Sequence, residues 1–203
     1  MISFKHKFIF IHIPKSAGTS IENALHFYSD DVIQNGLIKP GRVIIEMARK
    51  KRVKLDNYRH LSYDKYKQIL GDDINNFFIF SVLRTPYDRI PSLYYHSNIN
   101  TVSLIQFISS IVNAYHIVPS VVVEMNMIKT FIGDVKDIFF LKFETLDSDW
   151  KILLNKLNLP YINLEHLNQD RIKNYDNLYK DSRLLKVMEE VFKEELERYF
   201  NGK

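Results

Sequence analysis

The chain has 203 residues, 46% of them apolar, and carries 28 Lys and Arg against 24 Asp and Glu. That length and apolar content suit one α/β domain with a single core, and six glycines and six prolines leave little material for long flexible linkers. With no cysteine there is no disulfide, thiol nucleophile or thiolate metal ligand, while the mild positive excess permits an anionic partner without demanding one.

The first seven residues show no apolar core followed by a cleavage site, and no apolar run approaches the roughly 18 residues of a membrane span. The chain is therefore expected to be soluble and cytoplasmic. Its seven histidines show no metal-ligand spacing, so no metal is expected.

Phe8-Ile9-Phe10-Ile11-His12-Ile13 stops at Pro14 and reads as a buried strand. Thr19-x-x-Glu22 ahead of an apolar run reads as a capping box that opens a helix over about residues 19–28. Between them lie Lys15, Ser16, Ala17, Gly18, Thr19 and Ser20. A strand, a tight turn and a helix N-terminus present unpaired N–H groups and the positive end of a helix dipole, which makes an anion site. Lys15 adds a point charge and the hydroxyls add donors. The pattern is not the Walker loop, because the lysine precedes Gly18 by three residues instead of following a glycine directly. An ordinary strand–turn–helix with a surface lysine is the simpler alternative.

Next come Val32-Ile33, a loop through Gly36 to Gly41, and helical spacing over residues 42–55 that ends in the basic run 49–54. That run is read as a solvated helix face or as a contact for an anionic acceptor or cofactor. His60 lies on a loop just ahead of a helix with Ser62 as N-cap and Gly71 as stop. Residues 77–83 form a second buried strand, apolar on both faces as central parallel strands are. It runs into Arg84-Thr85-Pro86-Tyr87-Asp88-Arg89, a second charged strand-to-helix junction. Ligands of open α/β sheets bind outside the carboxyl ends of the strands, so the two junctions are expected to face one crevice. Helices are predicted over 102–112 and 119–132, with Met125 and Met127 in the core. A third strand follows at 137–143, then a helix at 148–157 that carries Trp150. Residues 160–179 read as irregular and polar. A final helix, 182–200, is expected to turn Leu185, Met188, Val191, Phe192 and Leu196 inward and its Glu and Lys residues outward. Strands alternating with helices argue for a parallel sheet flanked by helices.

Two of these stretches carry a family resemblance. Ile13-Pro14-Lys15-Ser16-Ala17-Gly18-Thr19-Ser20 resembles the 5′-phosphosulfate loop of sulfotransferases that use 3′-phosphoadenosine-5′-phosphosulfate (PAPS). Arg84-Thr85-Pro86-Tyr87-Asp88-Arg89-x-x-Ser92-x-Tyr94 resembles their 3′-phosphate motif. The nearest branch is the carbohydrate (Golgi-type) enzymes and their bacterial relatives, and the order of loop, histidine segment, second motif and Phe143-Glu144-x-Leu146 matches as well. The resemblance implies a P-loop-like three-layer α/β fold, with residues 1–203 as a single domain. It implies that Lys15 contacts the phosphosulfate while Ser16, Ala17, Gly18, Thr19 and Ser20 cradle it, and that Arg84 and Ser92 hold the 3′-phosphate. His60 would be the catalytic base, with Glu144 or Glu22 next in line, and Arg171 and Lys173 would reach the cofactor from the late loop. The implied reaction moves the sulfuryl group of PAPS to a hydroxyl of a glycan or similar acceptor, with no metal and no nucleic-acid partner.

Such in-line transfer asks the protein to position the donor and stabilise charge. It asks for a base whose pKa lies near working pH, as an ordinary imidazole's does. Pro91 departs from the family pattern: it either kinks a helix already begun or starts one. Two other classes remain open, a P-loop nucleotide hydrolase or kinase and a non-catalytic polyanion-binding module built on residues 49–54.

Overall fold

The apolar runs at residues 8–11 and 78–83 pair in parallel at the centre of one sheet. The computed structural model describes residues 1–96, 102–113, 127–135, 137–165, 167 and 179–200. Arg171, Lys173 and Met125, with most of the helix expected at 119–132, lie outside them. The chain divides into two units, residues 1–83 with 131–167 and residues 84–130 with 168–203. In chain order the first unit contains β1 (Ile2–Ser3), β2 (Phe8–Ile11), α1 (Gly18–Leu25), β3 (Val32–Gln34), β4 (Leu37–Lys39), α2 (Arg42–Lys50), α3 (Tyr63–Leu70) and β5 (Phe78–Leu83). The second begins with α4 (Pro86–His96) and α5 (Leu104–Asn113). Helix α6 (Met127–Ile132) leads back to β6 (Phe139–Lys142) and α7 (Leu146–Lys156) of the first, and α8 (Ser182–Val191) and α9 (Lys193–Tyr199) close the second.

The main sheet has the order β1-β2-β5-β6. β2 and β5 are parallel, with Phe8 opposite Phe78 and Ile11 opposite Ser81; β6 continues the parallel set beside β5, and β1 pairs antiparallel at the edge. All of β2 is buried, and so is β5 beyond Phe78. Two-faced burial of this kind is what a parallel sheet covered by helices requires. The fold is thus α/β, a central and mostly parallel sheet flanked by helices. Because β2 and β5 run the same way, the chain leaves both strands at the same edge of the sheet.

Other expectations meet the structure locally. Residues 32–39 form a two-stranded hairpin, where only a short extended piece and a loop are predicted. Ser62 accepts the Lys65 N–H and Gly71 stands at positive φ, as read from the sequence. The basic run closes α2, and Arg49, Lys50, Lys51, Arg52 and Lys54 are all exposed. Met127 is core, and Trp150 is buried with its Nε1 donating to the Ile162 carbonyl at 2.8 Å. Among the described residues no helix is long and apolar enough to cross a membrane, and no cluster of three metal-binding side chains occurs.

Helix α4 begins at Pro86, so Pro91 lies inside it and does not start it. A proline there cannot donate to the carbonyl four residues back, that of Tyr87. The Tyr179 hydroxyl fills the gap, donating to that carbonyl at 2.6 Å, with the two tyrosine rings edge to face at 5.4 Å.

The final helix departs from expectation in two ways. It breaks at Phe192 into α8 and α9, and its buried line is Leu184, Met188, Phe192 and Glu195, with Leu185, Val191 and Leu196 only half-buried. Glu195 turns inward because its partner is there: Arg89 Nη2 donates to Glu195 Oε1 at 2.6 Å, and both side chains are wholly enclosed. Glu195 Oε2 also accepts the Ile128 N–H at 3.5 Å. Enclosing two charges is tolerable only while both are present, since removing one strands the other. Glu195→Ala is therefore expected to cost about 3–5 kcal/mol in chemical unfolding, whereas Arg89→Met combined with Glu195→Leu should come close to wild type.

Candidate active site

Beyond β2 the chain passes His12 and Ile13 and turns at Pro14. Lys15 (φ 62°) and Ala17 (φ 57°) both adopt the left-handed conformation, with Ser16 at negative φ between them. Such alternation of hand turns successive N–H groups toward one concavity, an anion-binding nest. Helix α1 starts at once at Gly18, with Ala17 as N-cap and no side chain capping it. The capping box expected from Thr19 and Glu22 does not form, because Thr19 already lies in the helix and Glu22 is drawn away by His12 and Arg59. The first-turn N–H groups, which have no intrahelical acceptor, are thus not taken by a side-chain cap. Ser16 Oγ is enclosed, its residue only 1% exposed, and has no hydrogen-bond partner among the described residues. A buried orphan hydroxyl inside a nest is a place where an anion completes the structure.

A network of charged groups lies directly beneath the nest. His12 Nδ1 donates to Glu22 Oε1 at 2.7 Å. Burial pushes the His12 imidazole down to about 4, against the pull of Glu22, so it is neutral at pH 7. Burial would raise the Glu22 carboxyl, but the His12 hydrogen bond and Arg59 together hold it below its usual range. Arg59 donates from Nε to Glu22 Oε2 at 2.8 Å and from Nη2 to Thr19 Oγ1 at 2.7 Å. Ser20 Oγ accepts the Leu167 N–H at 3.0 Å.

His60 ends a short 3₁₀ turn, Tyr58–His60, entered through Asn57 at positive φ. Its Nδ1 lies 3.0 Å from the His12 carbonyl oxygen. A carbonyl only accepts, so Nδ1 carries the hydrogen and the neutral ring keeps its lone pair on Nε2. The ring stands 4.5 Å from that of His12 and 6.3 Å from that of Phe131. Burial, the largest influence, lowers the His60 pKa.

The structure thus gathers Lys15, Ser16, Ala17, Gly18, Thr19 and Ser20 into one loop and helix start, and it ties His60 to the strand end that carries them. Of the fallback bases, Glu22 is unsuited, since both its oxygens already accept and its carboxyl is held ionised. At the other junction Arg84 follows β5 directly and is nearly buried, with its carbonyl accepting from Arg89 Nη1 at 3.2 Å. Ser92 is fully enclosed inside α4, so its N–H belongs to the helix body and not to a turn. Arg171 and Lys173 lie outside the described residues. His12 and Arg59 are the participants that sequence reasoning misses, and Glu22, expected as a capping partner or fallback base, is instead the acceptor that both of them hold. The one available signal was the histidine breaking an otherwise aliphatic and aromatic strand.

A family model described as the sulfotransferase family matches residues 1–125. No curated protein and no solved structure matches the chain at a significant level.

The depressed His12 value carries a pH dependence of definite sign. Between its ordinary 6.5 and about 4 the unfolded chain binds the proton and the folded one does not, so stability is lost as pH falls through that window. The lowered Glu22 carboxyl adds further loss below its own ordinary value of 4.5. His12→Gln, which keeps a donor for Glu22 and cannot titrate, should remove roughly 3 kcal/mol of the fall in stability between pH 7.5 and 4. Urea unfolding of the two proteins across that range is the check, and parallel curves would show that His12 does not titrate there.

Proposed function

The chain belongs to the sulfotransferase family, and from that premise we propose that it is a PAPS-dependent enzyme that sulfates a hydroxyl of a carbohydrate acceptor, with His60 as general base. Residues 1–203 act, on this reading, as one transferase domain. The observation that carries it is the enclosed, unpartnered Ser16 hydroxyl in a left-handed nest at the start of α1. The carbohydrate acceptor is taken from the branch that the two motifs resemble.

PAPS supplies an activated sulfuryl group: the acceptor oxygen bonds to sulfur, the bond from sulfur to the bridging oxygen breaks, and 3′,5′-adenosine bisphosphate leaves. Ser16, Thr19 and Ser20, with the N–H groups of residues 15–19, would bind the phosphosulfate end. Lys15 would offset the charge that grows on the bridging oxygen, an interaction stronger in the transition state than in the ground state. Arg84, at the second junction, would take the 3′-phosphate. Ser92 belongs to the same motif but is enclosed in α4, so it ranks behind Arg84. His60 Nε2 holds the lone pair that would accept the acceptor proton, and a depressed pKa keeps that lone pair free at pH 7. Arg171 and Lys173 stay assigned to the cofactor by the resemblance alone.

The bisphosphate should therefore raise the melting temperature, by the equivalent of about 2.7 kcal/mol at a hundred times its Kd, and AMP should do much less. Equal shifts from the two would remove the assignment at Arg84. His60→Ala should bind the bisphosphate nearly as wild type does while losing about 10²–10⁴ in sulfuryl transfer from labelled PAPS to an acceptor extract. Activity above about a tenth of wild type, more than removal of a base permits, would pass the role to Glu144.

A further inference from the structure

Arg59 and Thr19 stand 40 positions apart in sequence and meet at 2.7 Å beside the nest. Arg59 Nη2 lies 2.6 Å from Glu22 Oε2 as well, so one nitrogen spans the carboxylate and the hydroxyl while Nε holds the carboxylate a second time. A guanidinium only donates, and a threonine hydroxyl has one hydrogen and two lone pairs. With Arg59 on one lone pair, the Thr19 hydrogen cannot point back along that line. Among the described residues the hydroxyl has no acceptor of its own. Thr19 lies in the first turn of α1, half-exposed and three residues after Ser16, whose hydroxyl has no partner among the described residues.

We propose that Arg59 is a positioning residue: its fork, anchored on Glu22, fixes the Thr19 hydroxyl as a donor directed at the 5′-phosphate end of the bound nucleotide. The inference rests on the phosphosulfate reading of the loop. Were the fork absent, the strongest acceptor near Thr19 would be Glu22 itself, which shares a nitrogen neighbour with it. The hydroxyl would then turn inward and present its lone pairs, and not its hydrogen, to an anion. Charge alone does not meet the need. A lysine would neutralise Glu22, but as a point donor it lacks the planar fork that reaches two partners at fixed spacing. The same arginine holds the 3₁₀ turn that carries His60, so the geometry of the anion site and that of the base share one anchor.

The test is a double-mutant cycle read by calorimetry with three ligands: AMP, 3′,5′-adenosine bisphosphate and adenosine 3′-phosphate. Arg59→Lys keeps the charge beside Glu22, which guards the fold, and circular dichroism verifies it. Thr19→Val should weaken AMP and the bisphosphate by about tenfold or more, as loss of a hydrogen bond to a charged group does. Arg59→Lys should give a similar loss, and the double variant should be no worse than Thr19→Val alone. Adenosine 3′-phosphate, which lacks the 5′ group, should bind all four proteins alike, a split that general loosening of the fold would not produce. Arg59→Lys binding as wild type does, losses that add in the double variant, or a loss shared by adenosine 3′-phosphate would each overturn the proposal. A wild-type protein that binds no bisphosphate would overturn the functional reading together with it, whereas wild-type binding with an indifferent Arg59→Lys overturns this inference alone.

Discussion

The ring of His12 lies so close beneath the start of α1 that a Cβ on Gly18 would fall 2.0 Å from its Cδ2 and Nε2 atoms. No side chain fits in that space, so glycine is required at residue 18 for room and not for conformational freedom; its φ is not positive. The strain of the turn is carried by Lys15 and Ala17, each at a cost of about 1–3 kcal/mol that only firm packing sustains. Much else follows from that contact. The helix can begin directly on the imidazole, and burial keeps that ring neutral.

Keeping an anion site above a buried carboxylate is electrostatically awkward, and the chain resolves it by surrounding Glu22. One oxygen takes the His12 Nδ1–H and the other takes Arg59 twice. The negative charge is thereby spent locally before it reaches the loop. Because Arg59 immediately precedes His60, the residue that quiets Glu22 also sets where the His60 ring stands. A single short turn, Tyr58–His60, thus reaches both the Glu22 carboxylate and the His12 carbonyl at the end of β2.

The parts of this arrangement visible in the sequence are those written in local pattern. The two central strands show as continuous apolar runs, the two junctions as charge and hydroxyls placed where those runs stop, and α3 as its Ser62 and Gly71 boundaries. What the sequence hides depends on partners far along the chain. Thr19 and Glu22 have the spacing of a capping box, but Arg59, 37 residues after Glu22, competes for that carboxylate and wins through a fork of charged hydrogen bonds. Glu195 looks like any solvent-facing glutamate of an amphipathic helix until Arg89, 106 residues earlier, is found enclosed against it. The same motif thus contains two arginines of different kinds, Arg84 at the junction and Arg89 locked in an internal ion pair. Spacing alone could not separate them.

Pro91 and Tyr179 form a chemically matched pair. A proline inside a helix leaves one carbonyl without its usual donor, and here a hydroxyl from 92 positions away has taken that place. The proline alone strands the carbonyl, and the tyrosine supplies the donor that the proline removes. The two residues are therefore expected to covary among relatives. Where position 91 is an ordinary helix former, position 179 is released from its duty and is free to drift. Where the proline is kept, the phenolic oxygen is expected to be kept with it, since the Tyr179 hydroxyl gives α4 a fixed docking point for a distant segment of its own chain.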